Sequence, residues 1–271
     1  MLETGAWEDA DFSLMVHGIG ATPGMTGDSH SARGMRSTAV DRFQVIYTGL
    51  TAHAAGMPEM GINASNAAVL ALNAFAMLRQ HLPKETNLNA FISLGGEATN
   101  IIPDRTVVQV ELRAHDLAIW RDMKQKVLRC FEAGAIATGC SWEWEPTEYP
   151  YAPLVHDETL ADLWDANFAA RGRVLDSGAQ LGGGSTDMGN VSQVVPSIHP
   201  LVTFRGQQVP AHNPAFTEVA GSPEADEGVI DGAVAMAATV LDVALDPGLR
   251  AEFKRRTAAR PAGATRSKFT T

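Results

Sequence analysis

The chain has 271 residues, a net charge of −10, 45% hydrophobic residues and 19% charged ones. That composition suits one large or two modest globular domains with a buried core. It disfavours a phosphate-backbone partner, because nucleic-acid binding needs a basic face. Cys130 and Cys140 are the only cysteines and read as reduced thiols of a cytoplasmic protein. The acidic start MLETGAWEDADFSLM has neither the basic nor the apolar region of a signal peptide. With no run of 18 uninterrupted apolar residues, no membrane span is expected.

In chain order, 11–17 reads as a short buried strand and 18–42 as loop. Phe43, Val45 and Tyr47 alternate with polar partners, which is a strand pattern. Ile62, Val69, Leu72 and Phe75 recur at helical spacing between Ile62 and Arg79. Segments 87–94 and 107–113 alternate again. Asp116 is placed to cap a long helix with Trp120, Met123, Val127 and Phe131 on its core face, and Gly139 to end it. SWEWE, 141–145, is a further strand. The order β-α-β-β-α-β across 43–149 is that of a ferredoxin-like sandwich. Beyond the Pro-bounded YPYAP come a helix over 157–171, a Gly-rich turn into a helix at GGGSTDMGN, a strand over 194–204 and an Ala/Val-rich helix over 218–244. The basic segment after Phe253 reads as frayed. Residues 1–42 and 150–271 are thus expected to be parts of one α/β domain, with the sandwich inserted between them.

Several residues admit two readings. His17 ends an apolar strand, as a histidine facing a loop or as a metal ligand projecting into a cleft. His212 stands in a loop stiffened by Pro210 and Pro214, either solvated or held still as a ligand. GGGSTD offers backbone N–H groups to an anion, or is an ordinary loop. Asn100 serves its turn or binds an amide, and Arg113 is a surface charge or a carboxylate clamp. His53 lies in GLTAHAAGMP, among residues too small to bury it.

Taken together, GLTAHAAGMPEMGINASNAAVLALN, GGEATNIIPDRTVVQVELRA, GGGSTDMGNVSQVVPSIHP and HNPAFTEVAGSPEA resemble, in that order, the zinc amidohydrolases of peptidase family M20, nearest the aminoacylase-1-like and aminobenzoyl-glutamate hydrolase branch. The resemblance implies an α/β zinc domain with an inserted lid that forms a homodimer. It implies His17 and His212 as ligands of a site with two divalent ions, zinc above all, and His53 as an oxyanion donor reaching the partner subunit's site. Asn100, Arg113, Gly184 and Ser185 would hold a small amide or dipeptide substrate. Such relatives carry a further segment with a His-x-Asp-type pair and adjacent carboxylates, which nothing in residues 1–16 replaces. One imidazole per ion is too few, since a catalytic zinc takes three protein ligands. The chain alone is therefore expected to be inactive, as a C-terminal portion of the enzyme, and to expose apolar surface over 150–245. The alternative is a non-catalytic dimerising or ligand-binding remnant of the family.

Overall fold

The computed structural model describes residues 1–21, 25, 27–176 and 184–266. Strands β1 (Ser13–Leu14), β2 (His17–Gly20) and β3 (Ser29–His30) come first. There follow β4 (Ala39–Thr48), α1 (Ala64–Leu78), β5 (Thr86–Leu94), β6 (Arg105–Ala114), α2 (Leu117–Thr138) and β7 (Ser141–Pro146). The remainder is α3 (Glu158–Ala170), β8 (Leu175–Asp176), α4 (Met188–Ser192), β9 (Ser197–Ile198), β10 (Leu201–Phe204), α5 (Pro214–Ala220), α6 (Pro223–Leu245) and α7 (Pro247–Ala258). These form two compact units, Thr38–Pro153 and, separately, Met1–Ser37 with the chain from Leu154 onward.

The first unit is an antiparallel sheet in the order β5-β6-β4-β7, with the β-α-β-β-α-β connectivity of the ferredoxin-like sandwich. Its first strand starts at Ala39 rather than Phe43, because Ala39–Asp41 already pair with Leu112–Ala114. Asp116 caps α2 by accepting from the Ile119 N–H, and Gly139 ends it in the left-handed region at φ 76°. The stripe Trp120, Met123, Val127 and Phe131 is buried against Phe43, Tyr47 and Phe75. Phe131 is fully buried and its ring lies 5.9 Å from that of Phe75. Phe131→Ala should therefore cost about 3–5 kcal/mol, read by urea unfolding. A loss below about 1 kcal/mol would contradict this packing.

The second unit contains short parallel pairs, β1–β9, β2–β10 and β3–β8. The expected single strands at 11–17 and 194–204 each appear as two. The ladder nonetheless runs on through the gap, with Ser13, Met15 and His17 donating to the carbonyls of Pro196, Ile198 and Pro200. Pro200 has no N–H to give back, so regular strand pairing lapses there. The helix expected over 218–244 begins only at Pro223, capped by Ser222 and preceded by the separate α5. By length and composition alone α6 is apolar enough to cross a membrane, although Asp231 and Asp242 interrupt its apolar run, as the sequence reading expects. One face packs Ala225, Gly232, Ala235 and Val243 inward and places Asp231 against Arg171 and Arg173. Its other face exposes Val229, Ile230, Val234, Leu241 and Leu245.

The segment after Phe253 is not frayed within the described residues. Helix α7 continues to Ala258, with Phe253 buried against Phe12. Lys254 pairs with Asp11, Arg256 with Asp157 and Arg266 with Glu8, while Arg260 donates to the carbonyls of Trp7 and Ala10. Of the basic charges that suggested a loose tail, Lys254, Arg260 and Arg266 meet partners near the N-terminus, and Arg256 meets Asp157 ahead of α3.

Candidate active site

His17 opens β2, opposite Leu201 of β10, and is exposed. Its Nδ1–H donates to the Gly18 carbonyl at 2.8 Å, which leaves the lone pair on Nε2. A ring held through one nitrogen by a carbonyl, with the other open, is the arrangement of a metal-ligating histidine. At the far end of β2, a Cβ on Gly20 would lie 2.1 Å from the Val209 carbonyl oxygen, so only glycine lets the following loop approach. The Ala21 N–H donates to Gln207 in the same loop. That loop carries His212, exposed and in the left-handed region at φ 61°, an uncommon conformation for a side-chain-bearing residue. Asn213 then caps α5 by accepting from the Ala215 N–H.

The expected pair of divalent ions finds an incomplete donor set. Among the described residues, no three His, Cys, Asp or Glu side chains are grouped to hold an ion. His17 has the right tautomer, but single imidazoles fall short of the three ligands a catalytic zinc takes.

Part of the Gly-rich turn, residues 182–183, lies outside the described residues. Gly184 is exposed, with open space where a Cβ would stand, and Ser185 is half-buried. The helix that follows is one short turn, Met188–Ser192, so little helix dipole supports an anion there.

In the sandwich unit, His53 and Asn100 stand on two loops bound to each other. The Ala54 N–H donates to the Asn100 carbonyl and the Ile102 N–H to the Ala52 carbonyl, both at 2.9 Å, and His53 bridges Ile101. A Cβ on Gly49 would sit 2.0 Å from the Ile62 carbonyl oxygen. The small residues of GLTAHAAGMP thus serve close backbone approach. His53 Nδ1 accepts from the N–H groups of Ala55 at 3.2 Å and Gly56 at 3.1 Å. Two donors on Nδ1 place the ring proton on Nε2, so the exposed imidazole presents an N–H outward. The loops that carry and meet it also expose Leu50, Met57, Met60 and Ile101.

Arg113 is not brought to this corner. It lies near the other end of β6, eight residues from Arg105, or about 27 Å at ~3.4 Å per residue. There it donates to Glu111 at 2.8 and 3.1 Å, and Glu111 also accepts from Arg42 at 2.6 Å. The Arg113 guanidinium, reinforced by Arg42, pulls the Glu111 carboxyl down to about 2.

Sequence reasoning passed over two histidines, His199 beside His17 and His156 close enough to His199 to act on it. His199 is 4% exposed, with its ring centroid 6.0 Å from that of His17. His156 donates from Nδ1 to the Ala32 carbonyl at 2.6 Å. Burial pushes each down to about 4, His199 with further help from His17 and His156. The signal for His199 was its place in an apolar strand that pairs with the strand of His17. A histidine whose folded pKa is depressed is uncharged in the native state but gains a proton on unfolding. The stability this confers is full above the ordinary 6.5 and is lost as pH falls through about 4. The melting temperature should therefore fall between pH 7 and pH 5, and His156→Gln should flatten that slope. An unchanged slope in the variant would contradict the burial of a neutral His156.

Residues 38–138 match the peptidase dimerisation domain of family M20. The Xaa-Arg dipeptidase of Mus musculus is 34% identical over 261 residues, covering 94% of this chain and 58% of that protein. The N-acetyl-L-cysteine deacetylase of Bacillus subtilis (strain 168) is 27% identical over 187 residues, 66% of this chain and 43% of that one. Among solved structures, an aminobenzoyl-glutamate utilization protein from Klebsiella pneumoniae superposes with a TM-score of 0.66 at 19% identity, covering 88% of this chain and 57% of that chain. That likeness shows the fold. The chain spans 58% of the length of the mouse dipeptidase it matches.

Proposed function

The chain belongs to peptidase family M20, and from that premise we propose that it is the lid and C-terminal portion of a metal-dependent amidohydrolase, a dipeptidase in the first instance. The complete enzyme would join these residues to sequence that supplies the remaining metal ligands, on the same or a second chain. The outward apolar face of α6 supports this, since such a surface asks for a partner. The substrate is a small amide bearing a carboxylate: a dipeptide, an N-acyl amino acid or an aminobenzoyl-glutamate. The name of the mouse relative favours a dipeptide ending in arginine. The enzyme would work in the cytoplasm, in keeping with the free thiols of Cys130 and Cys140.

The observation that carries the reading is the state of His53. Its Nε2–H is fixed outward by two backbone donors on Nδ1. An N–H held in this way stabilises negative charge as it develops on an amide oxygen during attack by water. His53 stands on a loop tied to Asn100–Ile102, beyond the Arg105 end of β6, and Arg113 lies about 27 Å along that strand from Arg105, too far for one chain's pair to hold one small substrate. His53 would therefore serve the partner subunit's site, in a homodimer formed through the lid. Edge strand β5 exposes Phe91, and α1 exposes Val69, Leu70 and Met77 on one side, which is surface suited to a second copy.

The divalent ions would activate the water in such an enzyme. With the ligand set incomplete here, this chain's own contribution is the oxyanion donor and the grip on the substrate. The experiment is a hydrolysis assay with Xaa-Arg dipeptides, N-acyl amino acids and aminobenzoyl-glutamate, run on this chain alone and on the complete enzyme. Turnover of a dipeptide by the complete enzyme only is the expected result. Absence of turnover in both, with dimers still formed, would favour the non-catalytic remnant.

A further inference from the structure

The ladder that carries His17 keeps one register throughout, with Ser13 opposite Ser197 and His17 opposite Leu201. His199 therefore stands opposite Met15, two residues from His17 and on the same face of the ladder. The two rings lie 6.0 Å apart, centroid to centroid, tilted by 48°. Imidazoles joined by a direct ~2.9 Å hydrogen bond would bring their centroids to about 5 Å. These rings are thus too far apart to bond each other and close enough to serve one bound molecule. His17 offers the lone pair of Nε2, its Nδ1–H being held by Gly18. His199 is 4% exposed, and its Nε2 has no hydrogen-bond partner among the described residues. An orphaned buried polar atom is costly, so its retention calls for a ligand.

We infer that His199 is a further substrate-binding residue of the His17 site, its Nε2–H donating to an oxygen of the substrate's amide or carboxylate while the Nε2 lone pair of His17 is left for an ion. The inference rests on the amidohydrolase reading above. A hydrogen bond asks only one partner of His199, whereas the ligands that would complete an ion at His17 are those the complete enzyme would supply.

The test uses the complete enzyme with an Xaa-Arg dipeptide. His199→Phe keeps a ring of similar size without nitrogens, and His199→Gln keeps a polar tip. His199→Asn, whose amide is too short to reach, takes the place of the Phe variant where that does not fold. KM for the Phe or Asn variant should rise about 10–100-fold, with a smaller change in kcat. Metal content by elemental analysis and the melting temperature should stay at wild-type values, and the Gln variant should recover most of the KM. A KM within twofold of wild type in every variant would overturn the inference and leave the nitrogen to a bound water. Loss of metal would overturn it by making His199 a ligand. A wild-type enzyme that hydrolyses no dipeptide or acyl amino acid would overturn the amidohydrolase reading itself, and this inference with it.

Discussion

Replacing His53 with alanine in the complete enzyme is expected to lower kcat by about 10²–10³-fold, the usual effect of removing one oxyanion donor. Metal content should not change. The two halves of this expectation come from one piece of geometry. The Ala55 and Gly56 N–H groups occupy the lone pair of Nδ1, so Nε2 carries the proton. A protonated Nε2 donates a hydrogen bond and has no lone pair for a metal ion. The loop itself is held by backbone bonds between Ala54 and Asn100 and between Ala52 and Ile102, none of which involves the imidazole. The variant should therefore melt at the wild-type temperature. Loss of metal in the alanine variant would make His53 a ligand and overturn the assignment.

Val69→Asp combined with Met77→Asp is expected to produce a monomer that has lost about as much activity as His53→Ala. Both side chains are exposed on α1, at 51% and 67%, so their replacement leaves the lid core intact. Two carboxylates desolvated on each side of a two-fold contact would oppose each other and their own burial. If His53 serves the partner's site, dissociation removes the same hydrogen bond as the alanine substitution, and the two losses should agree. Light scattering gives the mass and a dipeptide assay the rate. A monomer with full activity would show that the site is complete within one protomer.

The lid was legible because its strands are long and its periods clean. Phe43, Val45 and Tyr47 alternate inward, and the stripe from Trp120 to Phe131 repeats at helical spacing between a capping Asp116 and a left-handed Gly139. The second unit carries no such signal. Its strands are two to four residues long, too short for a period of two to stand out. Pro200 interrupts the pattern of one of them. The basic tail misled because charge density reads as disorder when its partners, Glu8 and Asp11, lie some 250 residues away in sequence. At the site, residue types suggested His17, His53 and Asn100, but only coordinates reveal which ring nitrogen carries the proton. His199 was missed because a histidine inside an apolar run reads as core until strand register puts it beside His17. Arg113 looked like a carboxylate clamp, yet the fold places it among Glu111 and Arg42, well away from His53.

The central claim is that each lid serves its partner's catalytic site. Mixing two inactive variants of the complete enzyme, His17→Ala and His53→Ala, after reversible dissociation tests it directly. In a hybrid dimer one site pairs an intact His17 with the intact His53 of the other protomer, and the second site has neither. With half of all dimers hybrid and one working site in each, hydrolysis should return to about a quarter of the wild-type rate. A mixture that forms hybrid dimers and stays as inactive as its parents would contradict the account.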